Sequence, residues 1–269
     1  MKIKFNRGVD FLLGGSYLKK ILILKMGDTL KSISQKYGEF PQHIINKINL
    51  SVDEFIVVDC QRKEFLPSVD DIKGIIITGS HSMVTDYEPW SVRISNWLKN
   101  IINTNIPILG ICYGHQLLAD ILGGEVGYNS KGMEVGESDI YLTKEGQKDK
   151  LLGVLPEKFE GYEAHSQSVL KLPSNAKILA YNNHYEIQSF SYENHIWTTQ
   201  FHPEFISDIV KEYVKINKKN IINIGKDYNE IYNEIEDYKY GEILLNQFLF
   251  GFPSHLYFHL NHLTLFLFY

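Results

Sequence analysis

The sequence predicts an α/β fold with a largely parallel central sheet, a partly antiparallel extension, and a nucleophile elbow joining a strand to a helix. Three observations carry this expectation. Over the first half of the chain, short β-branched apolar runs alternate with longer helical patterns, as parallel strands with helical crossovers do. Past residue 125, strand-like runs follow one another with short polar connectors and no long helix between them. Between the two regimes stands a Gly-x-Cys-x-Gly turn, preceded by an apolar run and followed by a helical one.

Taken in order, residues 21–25, 55–60, 74–79 and 106–112 read as buried strands. Asp28 is placed to cap a helix opening near Thr29, and residues 31–50 hold one or two helices. Within 90–102, Trp90, Ile94, Trp97, Leu98 and Ile101 recur at helical spacing and read as core contacts. Residues 115–122 read as a helix closed by Gly123-Gly124. The extension is expected from strands at 139–143, 177–181, 186–192 and 196–202. A helical pattern returns at 206–216 and again at 227–249, where Tyr228, Ile231, Ile235, Tyr238 and Leu245 make one apolar face.

Composition narrows the class. With 269 residues, 44% hydrophobic and 22% charged, the chain can bury a full core, and one α/β domain over 19–249 is expected. A net charge of -5 gives no basic field, so nucleic acid is not an expected partner. Only two cysteines occur, Cys60 and Cys112, which suits a reducing, cytoplasmic setting. Residues 1–18 read as an N-terminal extension, because their apolar stretch is short and interrupted by Asp10. Residues 250–269 form an aromatic tail of unknown role. Pro253, Ser254, Asn261 and three histidines leave no apolar span of the roughly 18 residues a membrane helix needs, so a membrane role is not expected. His255, His259 and His262 have helical spacing but read as incidental, and no metal site is expected.

The chemistry concentrates in two segments. In Gly110-Ile111-Cys112-Tyr113-Gly114-His115-Gln116, a nucleophile at the turn projects from the sheet edge, and the flanking glycines remove side chains that would clash there. Cys112 is therefore expected to be presented rather than buried. The positive end of the following helix favours negative charge at the sulfur, and its free amides suit an oxyanion near Tyr113. A cysteine chosen at random is more often a small core residue, and Cys60, ending an apolar strand without such a turn, is read that way. The base comes from Gln200-Phe201-His202-Pro203-Glu204. In extended backbone the two-residue spacing of His202 and Glu204 puts both side chains on one side, so the carboxylate can orient the imidazole.

Together these segments resemble the catalytic signatures of the class I glutamine amidotransferases, in particular the glutaminase part of GMP synthases. The resemblance spans about residues 18–249 and includes Ile76 to Val84 and Ala164 to Val169, in the family's order. It implies a flavodoxin-like three-layer domain with Cys112 as nucleophile, His202 as base and later acid, and Glu204 as its orienter. It also implies an oxyanion hole from Gly79, Ser80 and Tyr113, and substrate contacts from Gln116, His165, Ser166, Gln167 and Ser168. His81 and His165 are read as positioning groups. Thr78-Gly79-Ser80-His81 and His165-Ser166-Gln167 depart from the glycine pair with proline and the His-Gly-Asp common in that family. No ATP-pyrophosphatase loop is present, so the resemblance is to the stand-alone type. The implied reaction is hydrolysis of the glutamine side-chain amide through a cysteine thioester, without cofactor, with ammonia passing to a separate synthetase. The alternatives are a γ-glutamyl peptidase and a non-catalytic binding subunit.

Overall fold

The computed structural model describes residues 19–48, 50–62 and 65–251. Residues 1–18, and the tail from 252 with its three histidines, lie outside the described residues. The strands are β1 (Lys20–Lys25), β2 (Phe55–Asp59), β3 (Ile72–Ile77), β4 (Ile108–Ile111), β5 (Glu125–Tyr128), β6 (Glu134–Leu142), β7 (Lys158–His165), β8 (Gln167–Lys171), β9 (Lys177–Tyr181), β10 (Ser189–Tyr192) and β11 (Ile196–Thr199). The helices are α1 (Lys31–Tyr37), α2 (Phe40–Lys47), α3 (Pro89–Ile101), α4 (Tyr113–Ile121), α5 (Ser207–Ile216), α6 (Lys218–Asn223), α7 (Tyr228–Glu234) and α8 (Tyr240–Phe250).

Nine strands form one sheet in the order β2-β1-β3-β4-β11-β10-β9-β6-β7. The first five are parallel and the last four pair antiparallel, so the expected parallel core and antiparallel extension are both present. Strands β5 and β8 make a separate antiparallel pair. Alternation along the parallel strands splits the core into two layers. Ile21, Ile23, Ile76, Leu109 and Ile111 face one layer, with Leu244, Leu245 and Phe248 of α8. Leu22, Leu24, Ile75, Ile77 and Ile108 face the other, with Ile94 and Leu98 of α3 and Leu117 and Leu118 of α4. Gly110 points into this second layer, where an added Cβ would lie 2.6 Å from the Gly114 carbonyl oxygen. The helix after the elbow therefore packs directly against its own strand.

Several expectations change in detail. Asp28 does not cap α1, whose N-cap is Leu30; its carboxylate pairs instead with Lys25. Helix α4 begins at Tyr113, not at residue 115, because Cys112 itself is the N-cap. The region 227–249 is two helices, not one. Residues 235–239 leave the helical path, where Asp237 Oδ1 accepts from Ser207 N at 2.9 Å and the Glu236 carbonyl accepts from Tyr162 Oη. The strand expected at 196–202 stops at Thr199, and the one at 186–192 begins at Ser189. β5, β7 and β8 were not anticipated, and β6 starts at Glu134 rather than 139.

Candidate active site

Three parallel strands end together and so deliver the candidate residues to one place. Ile77 of β3 is level with Gly110 of β4, and Ile111 with Thr199 of β11. Gly79, Cys112 and the segment leading to His202 thus leave the carboxyl edge of the sheet side by side, where open α/β sheets place their ligands. The Cys112 N–H donates to Thr199 O at 2.8 Å, and the Cys112 carbonyl accepts from Gln116 N at 3.1 Å. Between these anchors Cys112 has φ 50° and ψ -97°. A side chain held in that glycine-like region costs on the order of 1–3 kcal/mol, and the surrounding structure must hold it there.

Cys112 is buried, contrary to expectation, with 5% of its surface exposed. The cavity it faces is walled by segments remote in sequence, from Ser80 to Met83, at Met133 and Val135, and from Ala164 to Gln167. It lines a cavity of about 250 Å³ together with Ser80, His81, Gln116, His165, Ser166 and Gln167. Ser168 does not line this cavity; it lies in β8, fully buried, with Oγ 3.5 Å from His165 Nδ1.

His202 Nδ1 donates to Glu204 Oε1 at 2.8 Å, and both side chains are buried. The contact is made in a turn beyond the strand, not in extended backbone, because β11 has already ended and Pro203 redirects the chain. Burial alone would lower the imidazole, but the Glu204 carboxylate and the Cys112 sulfur outweigh it and lift His202 to about 10. Its other nitrogen, Nε2, faces the Cys112 sulfur and has no well-formed hydrogen bond to any other group among the described residues. Phe205 stacks on the imidazole with ring centres 4.0 Å apart and planes 5° apart, and Phe40 stacks at 6.4 Å. On the Cys112 side, a Cβ on Gly79 would lie 3.0 Å from His202 Cε1 and 3.7 Å from Cys112 Cβ. The N–H groups of Gly79, Ser80 and Tyr113 have no partner among the described residues.

Gln116 is held by its amide nitrogen, which donates to Gln167 O at 2.7 Å and Gln200 Oε1 at 3.0 Å. Its carbonyl oxygen is the group left for the cavity. His81 Nε2 is 3.1 Å from Tyr213 Oη, which also meets Thr29 Oγ1 at 3.0 Å. His165 Nδ1 donates to Gln167 O at 3.0 Å, while Nε2 lies 3.2 Å from both Glu134 Oε2 and Glu163 Oε2. Burial opposes charge on His165, yet the two carboxylates raise it well above the ordinary imidazole range. Glu134, Glu163 and His165 are the one group among the described residues with donor atoms close enough, within 4.8 Å, to hold a metal ion. Both ring nitrogens of His165 face oxygens that accept, the Gln167 carbonyl and the carboxylates, so each carries a proton and neither offers a lone pair to a metal ion. A larger cavity, about 630 Å³, lies on the far side of Glu204 and includes His43 and Lys47 but not Cys112.

With this geometry in place, comparison with known proteins is decisive for kinship. A model of the class-I glutamine amidotransferase family matches residues 37–219. The chain belongs to that family. Gamma-glutamyl peptidase 4 of Arabidopsis thaliana is 33% identical over 171 residues, covering 60% of this chain and 65% of that protein. A subunit of the glutamine-hydrolyzing GMP synthase of Methanococcus aeolicus is 34% identical over 152 residues, covering 54% and 74%. Among solved structures, a glutamine amidotransferase from Thermotoga maritima aligns with a TM-score of 0.65 at 20% identity, covering 86% of this chain and 96% of that one. One from Methylobacillus flagellatus aligns at 0.71 and 19%, covering 93% and 100%. These likenesses establish the family's α/β fold for this chain. No helix among the described residues is long and apolar enough to cross a membrane.

Sequence reasoning missed Phe205, which stacks on His202, Phe40, which packs beside both rings, and the buried polar layer of Glu134, Glu163, Asn182, Gln188 and Gln200. Phe205 directly follows Glu204, which is a usable signal. Nothing local marks Phe40 or Glu134.

Proposed function

We propose that this chain hydrolyses the side-chain amide of glutamine through a γ-glutamyl thioester on Cys112, yielding glutamate and ammonia. The observation that carries this reading is the placement of His202. One ring nitrogen is bound to Glu204, the other faces the Cys112 sulfur, and Cys112 shares the cavity with Gln116. In the first step the Cys112 thiol gives its proton to His202 and the sulfur attacks the amide carbon. The oxyanion is received by unpaired N–H groups of Gly79 or Ser80 and of Tyr113. His202 gives its proton to the departing nitrogen, then takes one from the water that cleaves the thioester. Glu204 holds the ring and balances its charge without transferring a proton. The Gln116 carbonyl is suited to the substrate's α-ammonium group, and Ser166 and Gln167 line the same wall. No step requires a metal or organic cofactor.

Relatives named as separate subunits of GMP synthase support passing ammonia to a synthetase on another chain. A second reading, cleavage of γ-glutamyl peptides, is favoured by the relatives named Gamma-glutamyl peptidase 4 and 5. Both readings use the same residues and differ in the group on the departing nitrogen. The test compares ammonia release from glutamine with amine release from γ-glutamyl dipeptides, using the purified chain alone and with proteins that copurify with it. Slow glutamine hydrolysis that a partner accelerates supports the synthetase-linked reading. Fast turnover of γ-glutamyl dipeptides, unchanged by any partner, replaces it with the peptidase.

A further inference from the structure

The cavity wall carrying Ser166 and Gln167 rests on a buried cluster that the reaction does not use. His165 ties to that wall by donating from Nδ1 to Gln167 O at 3.0 Å, the carbonyl that also receives Gln116. Its Nε2 faces two carboxylates at equal distance, 3.2 Å each. The two are not equivalent. Glu134 is well satisfied: Oε1 accepts from Ser138 Oγ at 2.9 Å and Asn182 Nδ2 at 2.6 Å, and Oε2 from Gln188 Nε2 at 3.2 Å. Glu163 is 1% exposed, and neither of its oxygens has a well-formed hydrogen bond. One imidazolium can balance one buried carboxylate. A second charge, with no donor to solvate it, is strongly opposed.

We infer that Glu163 is a positioning residue that works in its protonated form, letting His165 bind Glu134 and hold the Gln116–Gln167 wall in its substrate-ready place. Loss of the Glu163 proton puts a second anion against Nε2, and His165 is drawn away from Gln167. The groups facing Glu163 are Glu134 on β6, His165 on its own strand and His202 beyond β11, with His184 near Glu134 and His115 near His165. Burial, followed by the Glu134 charge, raises Glu163 to about 7, so the change falls within the working pH range. The consequence for turnover rests on the proposed glutamine reaction; the behaviour of the ring does not.

Two measurements separate these. In Cys112→Ala protein, nitrogen NMR of the His165 ring is followed from pH 5 to 9, with no turnover needed. The parent cluster shows an inflection near neutrality that disappears in Glu163→Gln, whose uncharged amide mimics the protonated acid. In the active enzyme, KM for glutamine is flat below neutrality and rises above it toward a limit of about tenfold per pH unit, while kcat is unaffected by this group. Glu163→Gln keeps the low-pH KM across the range. A missing inflection, or one that persists in Glu163→Gln, overturns the inference. An inflection of the predicted kind in a chain inactive on glutamine upholds the inference while rejecting the proposed reaction.

Discussion

Replacing Gly79 by alanine tests how tightly the site holds His202. Gly79 is not in the left-handed region, so the backbone accepts alanine, and the effect comes from the added methyl alone. That carbon would sit 3.0 Å from His202 Cε1, against an ordinary carbon contact of about 3.5–4.0 Å. The imidazole is confined on one face. Phe205 is stacked on it at 4.0 Å, and Phe205 is itself fully buried with Tyr213 stacked at 5.4 Å. A displacement of about half an ångström at the proposed base follows. Since a misplacement of about 1 Å can cost a hundredfold, Gly79→Ala is expected to lower kcat about tenfold, or about 1.4 kcal/mol. Overpacking of this kind also costs about 1–3 kcal/mol of stability. Steady-state ammonia release and a urea unfolding curve on the same preparation measure both. Turnover within twofold of the parent, with an unchanged unfolding midpoint, refutes the idea that Gly79 sets the position of His202.

Gly114→Ala should destabilise the fold by about 3 kcal/mol or more, because its Cβ would lie 2.6 Å from the Ile77 carbonyl oxygen, a backbone atom that cannot step aside; a change below about 0.5 kcal/mol in denaturant unfolding contradicts that packing. His115 is buried and pushed down to about 3 by burial, with His165 adding to the effect. Its neutral form therefore stabilises fully above about pH 6.5, and that contribution is lost as pH falls toward 3, amounting to about 2 kcal/mol at pH 5. His115→Gln should unfold with a visibly shallower dependence between pH 7.5 and 5 than the parent, and equal slopes would be contrary. Glu204→Gln should lose less activity than His202→Ala, since in the proposed reaction the carboxylate orients the ring and the ring moves the proton; activity equal to the parent would remove Glu204 from the mechanism.

The parallel core was legible because its strands are buried on both faces, so Ile21 to Leu24 and Ile75 to Ile77 read as unbroken β-branched and leucine runs. The elbow was legible for a different reason, as only glycine fits where α4 lies against β4 and β3. Strand β7 was not, because its inward face carries Gly161, Glu163 and His165, and a buried polar layer erases the alternation that marks a half-buried strand. The pairing of His202 with Glu204 was anticipated on a strand geometry that the chain does not adopt. Spacing of two brought the groups together, but the turn at Pro203 does the orienting. The burial of Cys112 depends on segments remote in sequence that wall the same cavity, near residues 80, 133 and 164, and no local pattern around residue 112 encodes it. The split between α7 and α8 has a similar origin, since Tyr162 and Ser207 hold residues 236 and 237 out of helical register.

The proposed reaction stands or falls on a covalent glutamyl group at Cys112. Rapid quenching of the enzyme with glutamine in acid, followed by peptide mass spectrometry, measures it directly. The expected result is one glutamyl acyl group on the peptide containing Cys112, absent in Cys112→Ala and still present in Cys60→Ala. Turnover of glutamine with no acyl group on Cys112, or with the group on Cys60, would contradict that chemistry.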